Sequence, residues 1–338
     1  MSCVSTIIPV WNRSGLLKEA VQSVLVQTYR PIEIIIVNDG STDETPAVAD
    51  QLAAQSDGLI RVLHVANGGV GLAREHGRRA ATGEFIQYLD SDDVLWPRKF
   101  EIQVSALSAK PECGVAYGKT RLVRDDGVVL ASPYKRSAEN MDYLFPALLV
   151  DRWWNTLTPL YRKSVCDAVG PWSDMRMGED WEYEARVGGL RTRLVYCDEF
   201  VADVREHSQG RLTGGGTATP VVLQNTARLI QSLFNNANRA GVELSSPEMR
   251  HFSRWSFSTA RQLGAIGANE AAEKCFLVAR AAAGDFADSR EFRGFRVLTN
   301  LVGWRIAGSA SEWLFNTLKR KPGIATQRQS WDHVQNPE

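Results

Sequence analysis

Cysteine is scarce in this 338-residue chain and badly placed for cross-linking: Cys3, Cys113, Cys166, Cys197 and Cys275 are scattered, odd in number and form no Cys-x-x-Cys pair. That spacing excludes a disulfide framework and a thiolate zinc site, and fits a reducing cytoplasm. Nowhere do eighteen apolar residues run together. The first residues enter a strand-like segment without a basic stretch or a cleavage site, so neither an integral membrane protein nor a classically secreted one is expected. Net charge is lacking too, with 39 Lys and Arg against 39 Asp and Glu, which argues against nucleic acid as a partner. The balance hides an asymmetry. Residues 1–215 hold 24 basic against 29 acidic side chains, and residues 216–338 hold 15 against 10.

What is present is an ordinary globular composition, 44% apolar and 23% charged, able to bury a core. The first hundred residues alternate β-branched runs with amphipathic stretches, the pattern of βα units around a mostly parallel sheet. Strands are expected at Val4–Val10, Ile32–Val37, Ile60–Val65 and Phe85–Leu89. Helices are expected after Ser14 and over Leu72–Ala81. A further strand at Val115–Tyr117 precedes a hairpin turning at Asp125-Asp126-Gly127. Glu139–Val150 and Met177–Arg186 read as helices. The Gly- and Thr-rich run at 213–220 is a breaker, and beyond it the pattern is helical, with a pair of helices at 249–264 and 269–283.

Two strand ends carry chemistry. Asn38-Asp39-Gly40-Ser41-Thr42-Asp43 offers a carboxylate and backbone donors to a nucleotide, or else a capped turn. Leu89-Asp90-Ser91-Asp92-Asp93 crowds three carboxylates after a buried strand. A divalent cation relieves that repulsion, and oxygen ligands suit Mg²⁺ or Mn²⁺; a solvated acidic loop is the alternative.

With Ile8-Pro9-Val10-Trp11-Asn12-Arg13, Asn67-Gly68-Gly69-Val70-Gly71-Leu72-Ala73-Arg74, Gly83-Glu84-Phe85-Ile86, Gly178-Glu179-Asp180-Trp181-Glu182 and Val204-Arg205-Glu206-His207-Ser208, these segments resemble, in order and spacing, family-two glycosyltransferases. The resemblance covers roughly residues 3–212. It implies a GT-A type, Rossmann-like mixed sheet flanked by helices, followed by a mainly α-helical C-terminal region. The implied division is a catalytic domain at 1–212 (nucleotide-sugar part to about 115, acceptor part from about 116), a linker at 213–220, a helical domain at 221–321 and a tail at 322–338.

Residue by residue, the resemblance implies that Pro9 and Trp11 line a nucleobase slot, Asp39 contacts the base and Arg74 lies near the nucleotide. It puts Asp90 on the ribose or metal, Asp92 on a Mn²⁺ or Mg²⁺ bridging the phosphates, and His207 on the metal or diphosphate. Trp11 stands where the family usually has Tyr, so the slot can stack but offers no phenol hydroxyl. Asp180 is implied as the base that deprotonates an acceptor hydroxyl, and Arg205 as a diphosphate partner. The acidic pair could otherwise simply answer a helix macrodipole. Trp153 and Trp154 are either an aromatic platform for an acceptor sugar or core, and Glu179 and Trp181 flank the same place.

The expected activity is inverting, non-processive transfer from a nucleoside-diphosphate sugar, with UDP favoured, to a glycan or lipid-linked glycan. A non-catalytic nucleotide-sugar-binding scaffold and a nucleotidyltransferase are the alternatives. In the helical region, 290–321 carries seven basic and two acidic residues. A helical projection puts Phe295, Leu298, Val302, Ile306 and Trp313 on one face and Arg293, Arg296 and Asn300 on another. That face would pack on its neighbours, join a second subunit, or lie on the inner face of the membrane.

Overall fold

The computed structural model describes residues 2–206 and 219–319. The chain divides into two compact units, residues 1–214 and 215–338. The first contains β1 (Val4–Val10), α1 (Ser14–Leu25), β2 (Ile32–Asp39), α2 (Thr45–Ala54), β3 (Ile60–Val65), α3 (Val70–Ala80), β4 (Phe85–Tyr88), β5 (Val94–Leu95), α4 (Lys99–Ala109), β6 (Cys113–Arg124), β7 (Val129–Ala131), β8 (Leu160–Arg162), α5 (Lys163–Val169), α6 (Glu179–Gly189) and β9 (Arg193–Glu206). Among the described residues the strands form one mixed sheet, in the order β3-β2-β1-β4-β8-β6-β9-β5 with β7 paired to β6.

β1 sits between β2 and β4 and is buried along its whole length, as a continuous β-branched run in a sheet covered on both faces should be. β2, β1 and β4 run parallel, so their carboxyl ends open on one edge, where the order of the strands reverses and ligands bind in such sheets. β8 pairs antiparallel with both β4 and β6, which makes the sheet mixed. α3 comes close to β1 at Gly77, where a Cβ would lie 2.3 Å from Cγ2 of Ile7.

The helix expected at Glu139–Val150 is absent; only the single 3₁₀ turn Ala147–Leu149 forms. Pro146 lies inside that stretch, where its ring removes a backbone donor and blocks the preceding turn. Leu144, Phe145, Leu148 and Leu149 are nevertheless buried, so the apolar pattern reports core-facing loop.

The second unit contains α7 (Pro220–Ala240), α8 (Pro247–Ala265), α9 (Asn269–Ala282) and α10 (Arg290–Lys319). α8 and α9 form the antiparallel pair their sequence suggests. The expected single face on α10 is not found: already in the first run Phe295 is buried while Leu298 and Val302 are exposed, and Gly303, at φ 78°, then breaks the helix. Phe295 is buried beside Phe257 and Phe276, whereas Ile306 and Trp313 are exposed. Arg296, expected to point away, pairs with Glu273 and lies over the Phe276 ring.

Candidate active site

The β1 and β2 loops are stitched together by Asn12. Its backbone N–H donates to Ser41 Oγ (3.0 Å), and its side-chain oxygen accepts from the Thr42 N–H (2.8 Å). Its φ of 51° suits Asn better than most residues. Trp11 beside it is half exposed, while Pro9 is buried inside β1. Asp39, buried at the end of β2, accepts from the N–H groups of Gly68 (2.7 Å) and Gly69 (2.9 Å), one on each carboxylate oxygen. It therefore fixes the loop that starts α3.

Arg74 on α3 is buried and forked. Its Nη2 donates to Asp90 (2.6 Å), its Nη1 to Glu179 (2.9 Å), and its guanidinium lies 4.7 Å from the Trp172 ring centre. One side chain thus joins the β4 loop to the first turn of α6, two acidic motifs distant in sequence. In the β4 loop Asp90 and Asp92 keep 31% and 20% of their side-chain surface, and Asp92 pairs with Arg13. Asp93 is buried. Burial, then Asp92 and Asp90, push its carboxyl well above the usual range, while the Arg205 N–H donates to it at 2.8 Å. Arg205 also binds the Asp92 carbonyl and Glu19.

α6 starts after Gly178 in the left-handed region, with Glu179, Asp180 and Glu182 in its first turn, where the helix dipole favours anions. Burial raises the Asp180 carboxyl, but Arg152, then Arg74 and Lys135, outweigh it and hold the group below its ordinary value. Asp180 accepts from the Trp181 N–H (2.7 Å) and from Arg152, and keeps 24% of its side-chain surface. Arg152 is itself fixed by Glu184, through Nε (3.0 Å) and Nη2 (2.6 Å). The acid is thus ionised at neutral pH, held in one orientation and still reachable.

Glu179 differs. Burial, then Asp180, drive its carboxyl up to about 7 despite Arg74. The folded protein holds a proton there that the unfolded chain releases near ~4.3. Its stabilising contribution is therefore complete below that pH and lost as pH rises through about 7. Glu179→Gln is expected to lose less stability than the wild type between about pH 5 and about pH 8. Equal slopes in urea titrations across that range would refute the raised value.

The aromatic platform is not found. Trp153 and Trp154 keep only 6% and 1% of their surface. Trp153 lies under the Arg136 guanidinium (3.8 Å), and Trp154 packs on Tyr117 and donates its indole N–H to Glu184 (3.0 Å). Trp181 is buried and donates to the Leu148 carbonyl (3.0 Å). All three fill core, and their ring faces are spent on it. His207 lies outside the described residues, and among the described residues no three His, Cys, Asp or Glu side chains gather as a metal cage. The sequence reading missed Arg152 and Glu184. Glu184 stands four residues after Asp180, on the same helical face, which was a usable signal; Arg152 had none.

Residues 5–162 match the profile of Glycosyl transferase family 2. An uncharacterized glycosyltransferase of Nostoc sp. is 41% identical over 205 residues, covering 60% of this chain and 61% of that one. The chain spans a fifth to a third of the length of its Rickettsia relatives. The structure of S. aureus TarS 1-349 in complex with UDP superposes with a TM-score of 0.64 at 16% identity, over 93% of this chain and 92% of that one. Mannosyltransferase PcManGT from Pyrobaculum calidifontis, in complex with GDP-Man and Mn2+, gives 0.50 at 17%, over 94% and 88%. The fold is that of the GT-A glycosyltransferases. The match to glycosyl transferase family 2 lies within residues 5–162.

Proposed function

We propose that the protein transfers a sugar from a nucleoside-diphosphate donor, UDP-linked by preference, to an acceptor hydroxyl with inversion. The observation that carries this reading is the Arg74 fork. It brings the Asp90–Asp92 loop, suited to the donor's diphosphate, beside Asp180, suited to the acceptor's proton. Trp11 supplies the exposed face for the base, and Asp39 shapes the slot while keeping lone pairs for it. The acceptor oxygen forms its bond to the anomeric carbon as Asp180 takes its proton. The bond to the diphosphate breaks, and UDP leaves with the electron pair. Attack opposite the leaving group inverts the centre.

A divalent cation fits the β4 loop. Its donors at Asp90 and Asp92 are carboxylate oxygens, partly exposed, and Asp93 beside them is raised by burial first and then by those two charges. Asp92, with Asp90 or His207, would hold Mn²⁺ or Mg²⁺, which when bound supplies charge to the departing diphosphate. The TarS complex with UDP and the PcManGT complex with Mn2+ lend support by analogy of fold. In calorimetry UDP should bind about 10²-fold more tightly with Mn²⁺ than with EDTA, the effect of one well-placed cation on a diphosphate. Equal affinities would count against the metal.

A further inference from the structure

Seven large apolar side chains are exposed on α10. In its first run Val297, Leu298, Leu301 and Val302, at spacings of one, four and five, form one stripe. Leu301 is 77% exposed. The adjoining side, Phe292, Phe295 and Thr299, is buried against the unit's own core. Past the Gly303 break, Ala307 and Gly308 are buried, and a Cβ on Gly308 would meet the Ala265 N–H at 2.5 Å. That contact fixes the second run so that Ile306 and Trp313 remain 61% and 69% exposed. Arg290, Arg293 and Arg305 are exposed along the same helix, and none has an ion-pair partner among the described residues. Concentrated apolar exposure of this kind marks an interaction surface.

We infer that α10 docks on an anionic lipid surface, with the Val297–Val302 stripe entering the acyl boundary and the arginines meeting headgroup phosphates. Charge decides the occupant. A self-complementary contact between two copies would set six arginines against the fewer carboxylates of Glu291 and Glu312, whereas an anionic bilayer supplies the balance. Residues 216–338 as a whole carry 15 basic against 10 acidic side chains. The inference is independent of the transferase reading, since no substrate takes part.

The test is sedimentation of the full chain with phosphatidylcholine vesicles, with and without phosphatidylglycerol, as sodium chloride rises. Pelleting is expected only with the anionic lipid, and should fall with salt. Replacing Arg290, Arg293 and Arg305 together by Ser should weaken it about 10²-fold. Leu301→Glu should weaken it ~10-fold or more. Both sets are fully solvent-facing, and circular dichroism verifies that the fold persists. Absence of pelleting at low salt, or pelleting unchanged by Leu301→Glu, would overturn the inference. So would a dimer in light scattering that Leu301→Glu disperses while vesicles bind neither form.

Discussion

Turnover of Asp180→Asn is expected to fall ~10²–10⁴-fold, while its affinity for UDP stays near the wild-type value. The amide keeps the acceptor oxygen for the Trp181 N–H and the volume of the acid, but has no lone-pair charge with which to take a proton. Arg152 would lose one partner and keep its two bonds to Glu184 and a longer one to Thr156, so α6 should stay folded. The donor-side groups Trp11, Asp39 and Asp92 are untouched. Slow donor hydrolysis, with water as acceptor, gives the rate, and calorimetry gives the affinity. Near wild-type hydrolysis by the variant would remove Asp180 from the mechanism and direct attention to Glu179 or Glu182.

Arg74→Met is expected to cost about 3–5 kcal/mol, the usual consequence of removing one partner from a buried ion pair. The guanidinium serves Asp90 and Glu179 together and raises its own basicity through them, with Asp180 adding a third attraction. Without it, Asp90 and Glu179 lose the cation they share, and Asp180 keeps the attraction of Arg152 and Lys135. Methionine fills the volume, so the loss reads as electrostatic rather than as a cavity. Arg74→Lys should recover only part of it, because one ammonium cannot span both acids in the forked geometry. Urea unfolding measures both variants. A wild-type midpoint for Arg74→Met would mean that the fork is incidental to the site.

How far the sequence foretold these features depends on the range of the forces involved. β1 and β3 were readable to the residue, β1 because Val4–Val10 is buried throughout and β3 because apolar and polar residues alternate over much of Ile60–Val65. The loops at Asp39 and Asp90 were readable because strand ends in a parallel sheet share one edge. The 139–150 segment departs from the expected helix because burial alone does not distinguish a helix from a packed loop, and Pro146 interrupts the stretch. Trp153 and Trp154 stay open between platform and core in the sequence for a similar reason: an indole prepared to stack on a sugar and an indole filling core have the same sequence signature. On α10 an apolar projection cannot tell which apolar side chains reach the core, so Phe295 is buried while Leu298 and Val302 are exposed, and the Gly303 break interrupts the projection beyond them. The Arg152–Glu184 clamp joins segments that come together only when the fold closes, so its pairing carried no local signal.

The most direct test of the central claim is proton NMR of the sugar first released from an α-linked UDP-hexose by the protein with Mn²⁺ and water as acceptor. A panel of UDP-glucose, UDP-galactose and UDP-N-acetylglucosamine covers the donor. In-line displacement with Asp180 as base predicts that the β anomer appears first, before mutarotation, and that its release is lost in Asp180→Asn. First appearance of the α anomer, or release unaffected by that substitution, would contradict the account.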